Sequence, residues 1–452
     1  MRYIALTVGP IVDTLILGRK TSEIWMASYL FSVLMKNIIR EIKALENTTF
    51  IVPYVDDETL FEIEDDGVGM FHDRFILQTG SLTLEEVASI VQEQKEGIAL
   101  MIAESIKRAP QKVVAFFNNY IQTYLFESDE QFDDPIIEIS KILDSIELHT
   151  PRLEAEEDYL RLFLNRDVLL HSALAKASFS SKPSFDSIEA IAAQELGEEV
   201  QATNAYKYIA IVHADGDNLG AYIKAQDDVT QISKRLFDFD KSAAESIKAY
   251  GGMPLFIGGD DLLFFAPVIH GEETLFDLID TLSAAYKDAL GSDKTTLSFG
   301  VSVTYYKYPL YEALERSREA LFTTAKRYTG KNAVAISAQK HSGQSFTFCV
   351  GKDEEAYRVY TAFVKTVLNE AQELPHAIHH KLFKHKVLFE NIAPEQLHAT
   401  FENIFNEEIH QSKFKAGLDN LQKLFLTLGL EAAAQEKLFA MLSTIKLLRG
   451  DR

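Results

Sequence analysis

Met253-Pro254-Leu255-Phe256-Ile257-Gly258-Gly259-Asp260-Asp261-Leu262-Leu263-Phe264-Phe265-Ala266-Pro267 is the stretch whose reading decides the fold. Two apolar runs, Met253 to Ile257 and Leu262 to Pro267, flank four residues suited to a turn, so the stretch predicts a β-hairpin. Gly258 and Gly259 permit positive φ and let a phosphate or ribose approach the backbone. Asp260 and Asp261 sit side by side at the tip, where like charges repel. A bound cation would resolve that repulsion, which makes both acids candidate catalytic residues and metal ligands.

Outward from the hairpin, the pattern stays consistent. Tyr206 to Ala214 reads as a strand that ends at Asp215, in His213-Ala214-Asp215-Gly216-Asp217-Asn218-Leu219-Gly220. Ile232, Leu236, Phe239, Ala243 and Ile247 mark a helix, and Leu275, Leu278 and Leu282 a second. Leu297, Phe299, Val301 and Val303 alternate with Ser298, Gly300, Ser302 and Thr304, a half-buried strand. A third helix is expected over Tyr311 to Lys326 and a closing strand over Ala333 to Ile336. This order, β-α-β-β-α-β and then α-β, is a ferredoxin-like palm with an extension. In a palm the first strand's end lies beside the central hairpin, so Asp215, Asp260 and Asp261 converge. Three such carboxylates suit two-metal nucleotidyl transfer, with Mg²⁺ held by hard oxygens. The loop of Gly216, Asp217 and Asn218 precedes a helix whose free N–H groups suit a triphosphate, and Gly216 is counted with the metal ligands. Lys331, in Gly330-Lys331-Asn332, is a candidate partner for the β- and γ-phosphates of ATP.

Three further segments complete the chain. Residues 1–105 alternate strands and helices: Tyr3 to Val8, a helix from Thr21 or Ser22, then strands over Phe50 to Tyr54 and Met70 to Leu77. In that helix Ile24, Ala27, Phe31, Leu34 and Ile38 recur at three and four residues, and Trp25, Met26 and Leu30 widen the stripe, which predicts burial on more than one side. Residues 106–200 predict a helical module, with amphipathic runs Val113 to Phe126 and Ile136 to Ile146 and a linker at Ser178 to Asp186. Residues 201–340 hold the palm described above. Residues 341–452 predict helices broken near Pro375 and Pro394. The expected class is α+β, with two ferredoxin-like, nucleotide cyclase-like palm domains interleaved with two helical domains.

At 452 residues the chain exceeds a single hydrophobic core. Its net charge of -22 repels nucleic-acid backbones, so any contact with RNA is expected through other subunits. Cys349, the single cysteine, excludes an intrachain disulfide framework and a cysteine-cluster zinc site, and suits a reducing cytoplasm. No apolar run reaches the roughly 18 residues of a membrane span, and no signal peptide is legible. His72-Asp73 lacks the second histidine and acid cluster of a metal nuclease. His376, His379, His380 and His385 are expected on a helix surface, and Glu64-Asp65-Asp66 in a solvated loop.

Three passages together resemble the large polymerase/cyclase-type subunit of type III CRISPR effector complexes, of the Cmr kind. The first is Leu6-Thr7-Val8-Gly9-Pro10 with Arg19-Lys20-Thr21-Ser22-Glu23-Ile24-Trp25-Met26-Ala27-Ser28. The second is Phe71-His72-Asp73-Arg74-Phe75. The third joins Asp215 to Gly220 and Gly258 to Asp261 with Lys307-Tyr308-Pro309-Leu310 and Gly330-Lys331-Asn332-Ala333. The resemblance implies an antiviral subunit, partnered by other effector subunits and, through them, by crRNA and target RNA. Once target RNA is captured, such a subunit makes a signalling nucleotide from ATP, a cyclic oligoadenylate or an adenylated small molecule. It further implies that Asp215, Asp260 and Asp261 hold two Mg²⁺ or Mn²⁺ ions and that Gly258, Gly259 and Ser302 approach the nucleotide. Gly9-Pro10 stands where the second palm has Asp215, so the first palm is expected to be non-catalytic. Many relatives begin with an HD-type nuclease domain and carry a cysteine-bound zinc; here the first palm starts within ten residues and one cysteine is present, so neither DNA cleavage nor zinc is expected. The alternatives are a non-catalytic scaffold subunit and a stand-alone nucleotide cyclase.

Overall fold

The computed structural model describes residues 2–45, 47–61, 68–147, 158–165, 168, 172, 174, 187–192, 208–226, 229–369, 381, 382, 384–405 and 412–449. Two β-sheets organise these residues. In the first, β1 (Arg2–Gly9) lies between β3 (Arg74–Thr79) and β4 (Gln122–Ser128), with β2 (Thr48–Val52) outside β3, every pair antiparallel. Helices α1 (Ile11–Ile16), α2 (Thr21–Lys43), α3 (Leu84–Ile106), α4 (Pro110–Tyr120) and α5 (Pro135–Glu147) surround it.

β4 corrects the expected domain limits. The run from Val113 to Phe126 is not one helix: α4 stops at Tyr120, and the following Gln122-Thr123-Tyr124-Leu125-Phe126 pairs with β1. Its β-branched and aromatic residues suit a strand, and the open edge of β1 supplies the partner. The N-terminal sheet unit therefore runs past residue 105, and α5 is tied to it through Ile139 and Leu143, which meet Tyr3, Ala5 and Ile76. Between residues 148 and 207 the described helices are α6 (Tyr159–Phe163) and α7 (Ile188–Ala192). The stretches Glu64-Asp65-Asp66 and Ser178 to Asp186, and His376, His379 and His380, lie outside the described residues.

The second sheet carries the hairpin. Its elements are β5 (Tyr208–Asp217), α8 (Leu219–Lys224), α9 (Val229–Ala249), β6 (Met253–Gly258), β7 (Asp261–Pro267), a short hairpin of β8 (Ile269–His270) and β9 (Glu273–Thr274), then α10 (Leu275–Leu290), β10 (Thr296–Tyr305), α11 (Leu310–Glu319), β11 (Ala333–Gln339) and β12 (Ser345–Gly351). The six-stranded order is β12-β11-β10-β5-β7-β6, antiparallel except for β10–β11. The expected βαββαβ order is present. β12 was not expected: residues 345–351 pair with β11, and the C-terminal helices α12 (Glu355–Asn369), α13 (Lys386–Asn391), α14 (Leu397–Ile404), α15 (Ser412–Leu428) and α16 (Ala432–Arg449) follow it.

Alternation along β5 and β7 buries both faces of this sheet. Ala210, Val212, Leu262 and Phe264 join the core beneath α9, α10 and the C-terminal helices, while Ile209, Ile211, Leu263 and Phe265 join the core of the N-terminal unit. α2 is caught between its own sheet and β6, so Trp25, stacked on Tyr29 at 4.6 Å, is 2% exposed. The expectation of a helix buried on more than one side is met. A single parallel bridge, Gly69 to Phe256, with Ile257 N donating to Gly69 O at 3.2 Å, joins the N-terminal unit to the edge of β6.

The expected third helix changes character before it ends. α11 stops at Glu319, a π-helical turn spans Ala320–Thr324, and a 3-10 turn Ala325–Arg327 follows. The helix lies so close on β10 that a Cβ at Gly300 would run into the backbone of Ser317 and Leu321, and the wider turn begins at that contact. No helix of the described residues is long and apolar enough to cross a membrane.

Candidate active site

The carboxylates meet where β5 ends beside the β6–β7 turn. β10 holds β5 in register, Asp215 opposite Ser298 and Asp217 opposite Thr296. The turn is closed by the Gly258–Asp261 pair, and Gly259 has φ +69, a conformation that favours glycine. Asp260 lies across β5 directly over Gly216: a Cβ built there would sit 2.5 Å from Asp260 Oδ2 and 2.5 Å from the Tyr286 hydroxyl. Asp215 and Asp261 line one pocket together with Asp260. The three predicted acids therefore stand together.

Their electrostatics show the strain of that grouping. Burial and then the neighbouring Asp215 push the Asp260 carboxyl up to about 7, against the pull of Lys326. Asp261 is also pushed well above the usual carboxylate range, by burial and then by Asp260 and Asp215. Its side chain is exposed and opens into a pocket. Asp240, on α9, is raised by burial; its Oδ2 accepts from Gly259 N at 2.9 Å, and its Oδ1 has no partner among the described residues. The Tyr286 hydroxyl, fully buried on α10, likewise has none.

The pocket measures about 820 Å³ and is composite. One wall comes from the second palm (Leu219, Ile232, Leu236, Asp215, Asp260, Asp261) and the other from the N-terminal unit (Tyr54, Met70, His72, Arg74). His72 closes over the turn, its Nδ1 3.2 Å from a Cβ built at Gly258 and its Cε1 2.8 Å from one built at Gly259. The face of the glycine pair expected to receive a ligand thus already meets an imidazole, although both glycines also line the pocket. The sequence offers His72-Asp73 only as a dipeptide without a metal nuclease's second histidine and acid cluster; its contact with the turn comes with the nearby bridge from Gly69 to Phe256.

The remaining predicted residues divide. Asp217 does not face the pocket. It is fully buried, its Oδ2 accepting from Thr296 Oγ1, Ser298 Oγ and Asn332 N at 2.9, 2.7 and 3.0 Å, and its Oδ1 from Lys326 at 2.9 Å. It fastens β5 to β10 and β11 rather than offering a ligand. Asn218 has φ +61, begins α8, and donates to Lys294 O at 3.2 Å. Ser302 lies opposite Ile211, four residues along the ladder from Ser298 and so about 13 Å away, with its buried hydroxyl unpartnered among the described residues. Lys331 has φ +56, and its backbone N donates to Tyr328 O at 2.9 Å; it makes no contact with the carboxylates. The cation at the site is Lys326, which the sequence reading left inside a helix. The π turn and the 3-10 turn after it bring its Nζ to Asp215 O at 2.8 Å, to Gly216 O at 2.6 Å and into an ion pair with the Asp215 carboxylate.

Among the described residues no three His, Cys, Asp or Glu side chains are disposed to hold a metal ion together. The donor chemistry nonetheless fits one. Asp215, Asp260, Asp261 and the Gly216 carbonyl offer hard oxygens, and raised carboxyls at the pocket wall are what a divalent cation relieves.

Comparison with known proteins agrees with this layout. The family model "Cas10/Cmr2, second palm domain" matches residues 208–335, and "CRISPR-associated protein Cmr2, N-terminal" matches residues 3–124; together they cover more than half of the chain. The CRISPR system Cmr subunit Cmr2 of Pyrococcus furiosus is 28% identical over 176 residues, 33% of this chain and 20% of that relative. The chain is thus matched to only a fifth of the length of its curated relative. Among solved structures, a type III-B Cmr-beta complex in its apo state superposes with TM-score 0.61 at 12% identity, covering 91% of this chain and 77% of the other. A Csm1–Csm4 cassette in complex with cA4 gives TM-score 0.55 at 13% identity, covering 99% and 70%. At such identities these structures share the fold.

Proposed function

The chain belongs to the Cas10/Cmr2 family, and on that premise we propose that it is the large subunit of a type III CRISPR effector complex whose second palm makes a signalling nucleotide from ATP. The observation that carries the reading is the convergence of Asp215, Asp260 and Asp261 at the wall of a pocket sized for a nucleotide. Its partners are other effector subunits and, through them, crRNA and target RNA; the net charge of -22 supports indirect rather than direct RNA contact. The Csm1–Csm4 cassette solved with cA4, and another solved with one ATP, support ATP as substrate. The domain plan is an N-terminal non-catalytic palm, a helical segment, the catalytic palm and a C-terminal helical domain.

In this reading a hydroxyl oxygen of one substrate forms a bond to the α-phosphorus of ATP, and the bond to pyrophosphate breaks. Asp215, Asp260, Asp261 and the Gly216 carbonyl would hold two Mg²⁺ or Mn²⁺ ions. When bound, the ions lower the pKa of the attacking hydroxyl and neutralise the leaving pyrophosphate. The protein's own residues do the rest. Asp240 and His72 flank the hairpin turn, Asp217 anchors the end of β5, Arg74 and Arg318 line the pocket, and Lys326, paired with Asp215, adds a further positive charge. Leu219, Ile232 and Leu236 offer an apolar bed for a base and exclude water.

The test is to incubate the assembled complex with ATP, Mg²⁺ and matching target RNA and to analyse the products by mass spectrometry. An ATP-derived product that disappears in the double variant Asp260→Ala, Asp261→Ala supports the reading. No product under any RNA condition would leave a scaffold subunit, and RNA-independent consumption of GTP would indicate a stand-alone cyclase.

A further inference from the structure

Lys326 occupies an environment built for a cation. Its Nζ meets the Asp215 carbonyl at 2.8 Å, the Gly216 carbonyl at 2.6 Å and Asp217 Oδ1 at 2.9 Å, and pairs with the Asp215 carboxylate. These oxygens surround one positive centre, and an ammonium has three protons to divide among them. Its side chain is 13% exposed, so the arrangement is enclosed rather than a surface pairing. Two of the partners, Asp215 and the Gly216 carbonyl, are groups assigned above to the metal. A divalent ion and an ammonium cannot share them, because two positive centres a few ångströms apart repel strongly where water is scarce.

The attachment of Lys326 permits withdrawal. It stands on the 3-10 turn Ala325–Arg327, directly after the π turn Ala320–Thr324, and its flexible four-carbon stem can swing without moving the strand. Asp217 would stay in place, since Thr296, Ser298 and the Asn332 backbone keep their bonds to it. Asp215, the ion-pair partner of Lys326, also lines the pocket, so a triphosphate bound there would compete for the ammonium.

We propose that Lys326 is an internal counter-cation that holds the carboxylate cluster closed to divalent ions, so that metal entry and the Lys326 contacts exclude one another. The inference rests on the reading of Asp215, Asp260 and Asp261 as metal ligands. Its consequence is a site that takes up metal poorly by itself and readily once a triphosphate draws the lysine away. That order would keep the idle site from loading metal before substrate arrives.

Two measurements on the full chain at one fixed pH test it. The first is Mn²⁺ affinity, read from the electron paramagnetic resonance signal of free Mn²⁺, for wild type, Lys326→Met and Asp260→Asn. Lys326→Met is expected to bind at least tenfold tighter than wild type, and Asp260→Asn more weakly. The second uses wild type alone: acetylation of individual lysines, followed by mass spectrometry, with and without saturating Mn²⁺. Lys326 is expected to react several-fold faster with Mn²⁺ present, while Lys95, buried on α3 and bonded to the Asn118 carbonyl, is unchanged. Should Lys326→Met fail to fold, the labelling result alone decides. Mn²⁺ binding that is lost in Asp260→Asn but no tighter in Lys326→Met, with unchanged Lys326 labelling, overturns the exclusion and leaves the metal site standing. No Mn²⁺ binding by any of the three proteins overturns the metal site itself.

Discussion

Replacing Gly216 by alanine is the most informative single perturbation of the carboxylate cluster. A Cβ at that position would lie 2.5 Å from Asp260 Oδ2, 2.6 Å from Asp260 Cβ and 2.5 Å from the Tyr286 hydroxyl. Comfortable non-bonded separations are about 3.5 Å, so the Asp260 side chain must retreat by about 1 Å. Tyr286 cannot absorb the difference, being fully buried with Phe239 edge-on at 5.1 Å. Overpacking of this kind costs about 1–3 kcal/mol. A 1 Å misplacement of a catalytic group costs about a hundredfold in rate. Gly216→Ala in the assembled complex should therefore lower ATP turnover with target RNA by about two orders of magnitude, with a fall of a few degrees in thermal midpoint. Gly97→Ala is the matched control, since a Cβ there meets nothing within 4 Å and helix propensity favours alanine by up to about 1 kcal/mol. If Gly216→Ala retained turnover within twofold of wild type while Asp260→Asn abolished it, the placement of Asp260 over β5 would be wrong.

Asp240→Ala should destabilise the chain by about 1–3 kcal/mol in urea unfolding, because Gly259 N loses its buried acceptor, whereas Asp240→Asn keeps an acceptor and should be neutral or stabilising. Trp25→Ala should cost about 3–5 kcal/mol by the same measurement, as the side chain is enclosed between two units. Burial, with Arg318 nearby, lowers His213 to about 3. Its unfolded value near 6.5 is higher, so the unfolded chain binds more protons as pH falls below 6.5, and stability present above that pH is lost below it by up to about 1.4 kcal/mol per unit. Urea midpoints between pH 6.5 and 5 should fall less in His213→Gln than in wild type.

The hairpin and the strand that carries Asp215 were legible because their signals are local, apolar runs of strand length and two glycines, although β5 continues past Asp215 to Asp217 because β10 pairs with it that far. The same holds for α2, whose apolar positions cover too much of its circumference for a surface helix. Lys326 was illegible for the opposite reason. Helical periodicity continues through it, and only the close approach of Gly300 to Ser317 and Leu321 marks where a π turn re-aims the side chain. Asp217 looked like Asp215 in sequence, two residues on, yet fastens three strands together while Asp215 reaches the pocket. β4 was hidden because Gln122 to Phe126 extends an amphipathic run whose periodicity does not record the free edge of β1. His72 reaches the turn through a one-residue bridge that no pattern encodes.

That bridge also sets how the molecule may be cut. The sheet bearing the carboxylates has no exposed face on the side of Ile209, Ile211, Leu263 and Phe265, because the N-terminal unit supplies the other half of that core. A fragment starting near Tyr208 would carry every proposed catalytic acid, yet it would turn this apolar layer to water and leave β6 an unprotected edge. Such a fragment should aggregate rather than catalyse. The half without the carboxylates is, in solvation terms, the missing wall of the half that has them.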